Sequence, residues 1–276
     1  MKIFLILLFS FSMMKGRTQE LFVYSDPASN IPARSVSAKI SANYINSQHH
    51  DNRTMQRYLL ESQAGLNKNW MIRAGAGFAD VHTRQFKWES VYLYTKYRFL
   101  SVDESHRHFR MAAFAEGAYT RSDFNFDEIS LTGDKSGVQL GVIATQLWNR
   151  FALSATVSHT QVLHDSRTLK GGYNPSRIYQ VMNYSLSGGL LILPVKYTDY
   201  KQTNLNLYGE LLAQESLDRR AYFVDFAPAV QLIFNSTTKV NAGYRFQLGS
   251  DMQRMARNSF LVGVESTILN VLKKRK

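Results

Sequence analysis

At 276 residues the chain is long enough for one large β domain or two ordinary ones. Its 13% aromatic content, with 15 Tyr, 17 Phe and only five Pro, excludes a disordered chain. The absence of cysteine excludes a disulfide framework and a lipid-attachment thiol. The formal charge of +12 is scattered rather than gathered into an aromatic-interleaved stripe. For an exported chain such a charge suits lipid headgroups or lipopolysaccharide as acidic partners, and its scatter points away from nucleic acid.

Lys2 precedes the apolar run Ile3 to Met14, and Lys15-Gly16-Arg17-Thr18-Gln19 is a polar exit. A charged start and a short apolar core predict a secretory signal peptide over 1–19, because about 18 or more apolar residues are needed to span a bilayer as a helix. Gly16 and Gln19 both fit a cleavage site imperfectly. Over 20–33, the apolar Leu21-Phe22-Val23-Tyr24 is followed by chain breaks at Asp26-Pro27 and Ile31-Pro32. This segment reads as a plug at the periplasmic mouth or as a short periplasmic linker.

From residue 34 a two-residue rhythm takes over. In "SVSAKISANYI" Val36, Ala38, Ile40, Ala42 and Tyr44 alternate with Ser35, Ser37, Lys39, Ser41 and Asn43, which is the period of a strand with one apolar and one polar face. The rhythm predicts about twelve strands, near 34–45, 56–66, 70–79, 88–99, 109–120, 136–147, 151–160, 178–192, 204–213, 222–234, 239–247 and 259–269. Most are longer than the usual strand of about five or six residues, and suit tilted membrane crossings. Tight turns at 67–69, 149–150 and 235–238 alternate with long polar connections at 46–55, 80–87, 121–135, 161–177, 214–221 and 248–258. Links 100–108 and 193–203 are longer than short-side turns should be.

The fold expected is therefore all-β: a transmembrane antiparallel up-and-down β-barrel with N- and C-termini periplasmic, spanning 34–272 and followed by a basic tail at 273–276. The polar face carries small residues (Gly75, Gly77, Gly141, Ser154, Thr156, Ser185, Ser187, Gly243) that suit a hydrated lumen, leaving the apolar face for lipid. Trp70, Phe78, Tyr97, Phe99, Tyr119, Phe151, Tyr184, Phe234 and Phe246 near the ends of outward stripes suit aromatic girdles. Pro228 inside strand ten calls for a bulge, since a closed barrel offers no free edge. The last strand lacks a terminal aromatic.

The segments "ELFVYSDPASNIPARS", "ESVYLYTKYRFL", "HFRMAAFAEGAY", "GDKSGVQLGVIATQL", "YTDYKQTNLNLYGELL" and "YFVDFAPAVQLIFNSTTKVNAGYRFQLGSDM" carry a resemblance. Across nearly the whole mature chain the sequence resembles uncharacterised outer-membrane β-barrel proteins of Bacteroidota. More distantly it is similar to barrels of hydrophobic-compound transport in aromatic degradation pathways. The resemblance implies a barrel and an outer-membrane address, and carries over no substrate or catalytic residue.

Parity places Lys39, Glu61, Arg73, Lys96, Arg98, Arg110, Glu116, Glu210, Asp225, Arg245 and Glu265 on the inner face as lumen-lining candidates. Reflection across the 67–69 turn puts Gln63 opposite Arg73 with Glu61 diagonal; the same reasoning on the other strand pairs puts Asp225 diagonal to Arg245 and sets Arg98 across from Arg110. These charges read either as a structural ladder or as a basic wall facing a hydroxyl wall on strands seven and eight, favouring small anionic or polar solutes. About twelve strands spaced about 4.8 Å apart and tilted near 40° give a diameter of roughly 24 Å, which side chains would narrow.

Catalytic and metal signals are weak. His49, His50, His82 and His164 fall in long loops, and Ser158 and His159 are neighbours that point to opposite faces. No His-x-x-x-His spacing or cofactor motif appears, so no catalytic residue, metal or cofactor is assigned. The expectation is a non-enzymatic narrow passive channel or uptake protein for small solutes. The alternative is a closed barrel acting as a surface binding or structural protein through its loops, with Phe124, Phe126 and Asp127 as its contact.

Overall fold

A strand with one apolar and one polar face is stable only if its neighbours present the same faces in register. Twelve such strands in succession leave two free edges unless the sheet closes. The computed structural model describes residues 22–47, 53–81, 85–121, 126–133, 135–163, 178–195, 199, 201–217 and 221–272. The expected signal peptide and basic tail, with His49, His50, His82 and His164, lie outside these residues.

The strands are β1 (Val36–Ser47), β2 (Thr54–Gly65), β3 (Trp70–Ala79), β4 (Lys87–Asp103), β5 (Arg107–Thr120), β6 (Gly137–Trp148), β7 (Phe151–Val162), β8 (Gln180–Leu193), β9 (Asn204–Ser216), β10 (Tyr222–Phe234), β11 (Thr238–Ser250) and β12 (Ala256–Ile268). Each pairs antiparallel with its sequence neighbours, and β1 pairs with β12 from Val36↔Ile268 to Ser47↔Ala256. The sheet is a closed up-and-down barrel, as the alternation predicts.

The surface is inverted relative to a water-soluble protein. Leu93, Leu140 and Leu186 on the outside are 60%, 61% and 47% exposed, whereas inward Glu210, Ser187 and Asp225 are 0%, 0% and 1% exposed. An apolar belt of this extent is unstable against water and stable against hydrocarbon. Aromatic residues cluster near both ends of the wall. Trp70 and Tyr97 face each other across β3 and β4 with ring centroids 4.7 Å apart, and Trp88 lies 6.4 Å from Tyr119 near the opposite rim. A closed antiparallel barrel with this belt places the chain in an outer membrane.

One end carries tight turns. Asn67 accepts the N–H groups of Asn69 and Trp70 on its side-chain oxygen at 2.8 and 2.9 Å, an Asx-type closure. Asn149 and Asn235 adopt φ of 47° and 50°, the left-handed region that asparagine tolerates.

Three expectations are corrected. The link 100–108 is mostly strand: β4 runs to Asp103, β5 begins at Arg107, and Glu104 N–H donates to the Arg107 carbonyl. A register shift between Arg98 and Leu100 sets Arg98 opposite Ala112 and Arg110 opposite Ser101. The two arginines are therefore not partners, because simple reflection misses a bulge. The third concerns Pro228. The β10–β11 ladder skips Ala227 and Pro228 but keeps one register from Phe226↔Phe246 to Ala229↔Gly243. The missing N–H is absorbed by that gap, and the shift lies between Val224 and Asp225.

Candidate functional site

The inside of the barrel is the candidate site, and two pieces of chain enter it. The first is Phe22 to Ala33. Its prolines remove donors and break any ladder, so its backbone polar groups must be satisfied by the wall. Glu210 accepts the N–H groups of Val23, Tyr24 and Ser25 at 2.8, 3.0 and 2.8 Å. Ser187 Oγ adds a fourth donor at 3.2 Å and is itself bonded to Ser25 Oγ at 2.7 Å. Four donors converge on this buried carboxyl, so both of its oxygens are engaged.

The rest of the segment is held by cations and hydroxyls. Arg73 pairs with Asp26 at 2.6 Å. Lys96, 2% exposed, donates to the carbonyls of Pro27 and Ser29 at 2.7 and 2.9 Å. Arg110 donates to Ser29 Oγ at 2.7 Å, and Thr145 Oγ1 accepts the Ala28 N–H at 2.9 Å. Burial alone would raise the pKa of Asp26, but Arg73 and then Lys96 outweigh it and hold the carboxyl well below the usual carboxylate range. Burial pushes the Tyr24 hydroxyl up, so the ring stays neutral.

Inner-face glycines make room for these fillers. A Cβ at Gly189 would lie 2.6 Å from the Tyr208 ring, on which Phe22 rests edge-on at 5.6 Å. A Cβ at Gly243 would lie 2.7 Å from the Tyr24 ring. The small residues of the inner face thus serve close packing as well as hydration.

The second piece comes from the β5–β6 loop at the opposite end. Ile129 exchanges two hydrogen bonds with Gln214, each 2.8 Å, and packs with Ile178, Val181, Phe223 and Met252. Asp127 exchanges two bonds with Gln253 at 2.9 and 3.1 Å. Arg254 bridges Glu128 at 3.1 Å and Asp225 at 2.6 Å, and its guanidinium lies 4.0 Å from the Phe223 ring centre. The Thr132 and Gly133 carbonyls accept from Ser90 and Thr120 at 3.1 and 2.9 Å. The described part of this loop turns into the barrel: Phe126 packs beside Ile45, Met55 and Met255. Phe124 lies outside the described residues.

Between the two pieces lies a cavity of about 290 Å³, bounded by Tyr24 at one end and Glu128, Ser130 and Thr132 at the other. Of the predicted residues, Lys39, Glu61, Arg73, Glu116, Asp225 and Arg245 border it. Lys39 pairs with its register partner Glu61 at 2.9 Å, and Arg73, opposite Gln63, lies 3.7 Å from Glu61. Arg245 reaches Asp225 diagonally at 2.5 Å. Lys96, Glu210 and Arg110 bind the N-terminal segment instead. Arg98 donates to the Lys68 carbonyl at 2.6 Å beside a turn, and Glu265 accepts from Lys239 and Ser37 at 3.1 and 2.8 Å.

Sequence reasoning missed Asp26, Arg57, Glu89, Glu128, Gln214 and Arg254. Asp26 and Glu128 lie outside any strand, where parity has no meaning. Arg57 and Glu89, paired at 2.8 Å, lie inside the predicted strands: Arg57 shares the inward parity of Glu61 and was overlooked, and a register shift opposite Gly77 and Phe78 takes Glu89 off its strand's parity. Ser158 is buried and bonded to Gln139 at 2.6 Å, whereas His159 lies on the outer stripe with Val157.

The sequence matches no protein-family model and no curated protein. The fold has relatives among solved structures. An outer-membrane channel of the COG4313 group from Pseudomonas putida F1 superposes with a TM-score of 0.59 at 8% identity, covering 90% of this chain and 100% of that one. The KdgM porin gives 0.48 at 9% identity, covering 83% and 98%, and the β domain of the Bordetella autotransporter BrkA gives 0.45 at 12%, covering 84% and 98%. At these identities the likeness is one of fold: this chain is similar to outer-membrane β-barrels.

Proposed function

We propose that the protein is a narrow passive outer-membrane channel or uptake barrel for small solutes, non-enzymatic, whose lumen is closed at rest by a plug formed by its own residues 22–30. The turns and both termini face the periplasm, and the long loops face outward toward lipopolysaccharide. The observation that carries this reading is the use of the inner wall's polar groups. Glu210, Arg73, Lys96, Arg110 and Thr145 bind a segment that belongs to no strand. A purely structural lumen would satisfy its charges within the wall, as Lys39–Glu61 and Lys239–Glu265 do.

Planar-bilayer conductance tests it. The intact barrel should conduct rarely. A variant lacking Phe22 to Asn30, still shifting in gel mobility on heating as folded barrels do, should conduct steadily. A folded but silent deletion variant would replace this reading with the second one, a closed barrel that works through its loops. That second reading is favoured by one observation: the β5–β6 loop folds into the other mouth and narrows it, with Ile129 and Leu131 6% and 4% exposed.

A further inference from the structure

The cavity between Tyr24 and the β5–β6 loop is not equally inviting to all solutes. Its wall charges are largely neutralised: Lys39 by Glu61, Arg73 by Asp26, Arg57 by Glu89, and Arg245 and Arg254 together by Asp225 and Glu128. Among the described residues, the lining charges without an ion pair are Glu116 and the exposed Arg257, one of each sign. A net ion entering here would meet no excess of opposite charge, and would lose its hydration for little return.

Neutral polar groups are treated differently. Asn43 Oδ1 and the Tyr24 hydroxyl are enclosed without a hydrogen-bond partner, and both residues border the cavity. Buried polar atoms in this state are costly, so they favour a ligand that supplies hydroxyl donors and acceptors. Glu116 is a further acceptor, while Leu59 and Leu261 add apolar surface. The volume of about 290 Å³ is at the lower end for small-molecule sites.

We propose that this cavity binds a neutral polyhydroxylated solute the size of one sugar ring. Its hydroxyls bond Asn43, Glu116 and Tyr24, and its C–H face rests on Leu59 and Leu261. This deepens the channel reading and rests on it, because the site lies on the outer side of the plug and would load before the plug moves.

The test uses the full barrel in a detergent without a sugar headgroup. Saturation-transfer NMR is recorded with methyl α-glucopyranoside, glucuronate and diglycine as neutral, anionic and zwitterionic probes. The glucoside should receive saturation. Asn43→Leu should weaken its binding at least five-fold, and Ser41→Phe, which fills the cavity, should abolish it with the fold verified by heat-shifted mobility. Binding of glucuronate or diglycine in preference to the glucoside, glucoside binding unaffected by Asn43→Leu, or no binding of any probe would each overturn the proposal. Conductance of the deletion variant is scored separately: a conducting barrel that binds none of the probes overturns the sugar site and leaves the channel standing.

Discussion

The two pieces of chain that enter the barrel differ in what addresses their backbone: buried wall charges for the segment, mostly neutral groups and apolar packing for the loop. Residues 22–30 combine polar contacts to strands β3, β4, β5, β6, β8 and β9 with apolar packing of Phe22 and Ala28, and the β5–β6 loop combines apolar burial around Ile129 with hydrogen bonds and ion pairs of Asp127, Glu128, Thr132 and Gly133. Polar contacts exchange with water at modest net cost, roughly 0.5–1.5 kcal/mol for a neutral bond and about 1.5–3 for one to a charge. Apolar burial is lost outright when a side chain swings into water. The loop joins a strand at each end, and the described part of the N-terminal segment runs into β1 through residues 31–35. On the proposed channel reading, the difference teaches which piece leaves: the segment moves and the loop stays with the wall.

The contrast can be broken most severely at adjacent positions on β8. Leu186→Arg places a charge on the lipid face and should lower unfolding stability by about 2–4 kcal/mol. Ser187→Arg strikes Ser25 and Glu210 instead, so it should expel the segment while leaving the wall folded. Urea unfolding together with protease sensitivity of residues 22–33 separates the two outcomes. Equal loss of barrel stability in both variants would mean that the segment is part of the folding core.

A smaller effect is expected at Glu210. Replacing it with Gln keeps one acceptor oxygen but turns the other into a donor, although backbone N–H groups address both. Loss of about 2 kcal/mol there should raise the open fraction roughly 30-fold, read as more frequent conductance events. By contrast Ile129→Ala should destabilise the barrel locally by about 2–4 kcal/mol and leave the opening frequency nearly unchanged. If Ile129→Ala opens the pore more than Glu210→Gln, the assignment of removable and fixed pieces is reversed.

The smallest effect concerns pH. Because the folded-state value for Asp26 is depressed, its pairing with Arg73 stabilises the closed state at pH values above the unfolded carboxylate value of about 3.9, and is lost only as pH falls through the depressed one. A spin label near residue 28 should therefore keep its mobility from pH 7 to pH 5, and Asp26→Asn should raise that mobility throughout this range. Loosening of the native segment already at pH 5 would contradict the pairing.

Most of the wall could be read from the sequence because a strand's period is two and lipid and lumen impose opposite demands on alternate residues. Val138, Leu140 and Val142 on one side and Gln139 and Gly141 on the other leave no ambiguity about the faces of β6. The reading stopped where period two stops. A bulge after Arg98 displaced Arg110 from the partner that reflection gives it. Glu128 and Arg254 come from loops far apart in sequence, so nothing local indicates that they meet at 3.1 Å. Gly189 and Gly243 were visible as small residues, but what they accommodate depends on where a remote segment lies.

The removable plug is tested most directly by locking it. The chain has no cysteine, so Ser25→Cys and Ser187→Cys, whose hydroxyl oxygens lie 2.7 Å apart, would introduce a unique thiol pair between segment and wall. In a Glu210→Gln background, single-channel recordings should show no openings under oxidising conditions and frequent openings after reduction. Equal conductance before and after reduction, with the cross-link verified by mass, would contradict a plug that must leave for the barrel to conduct.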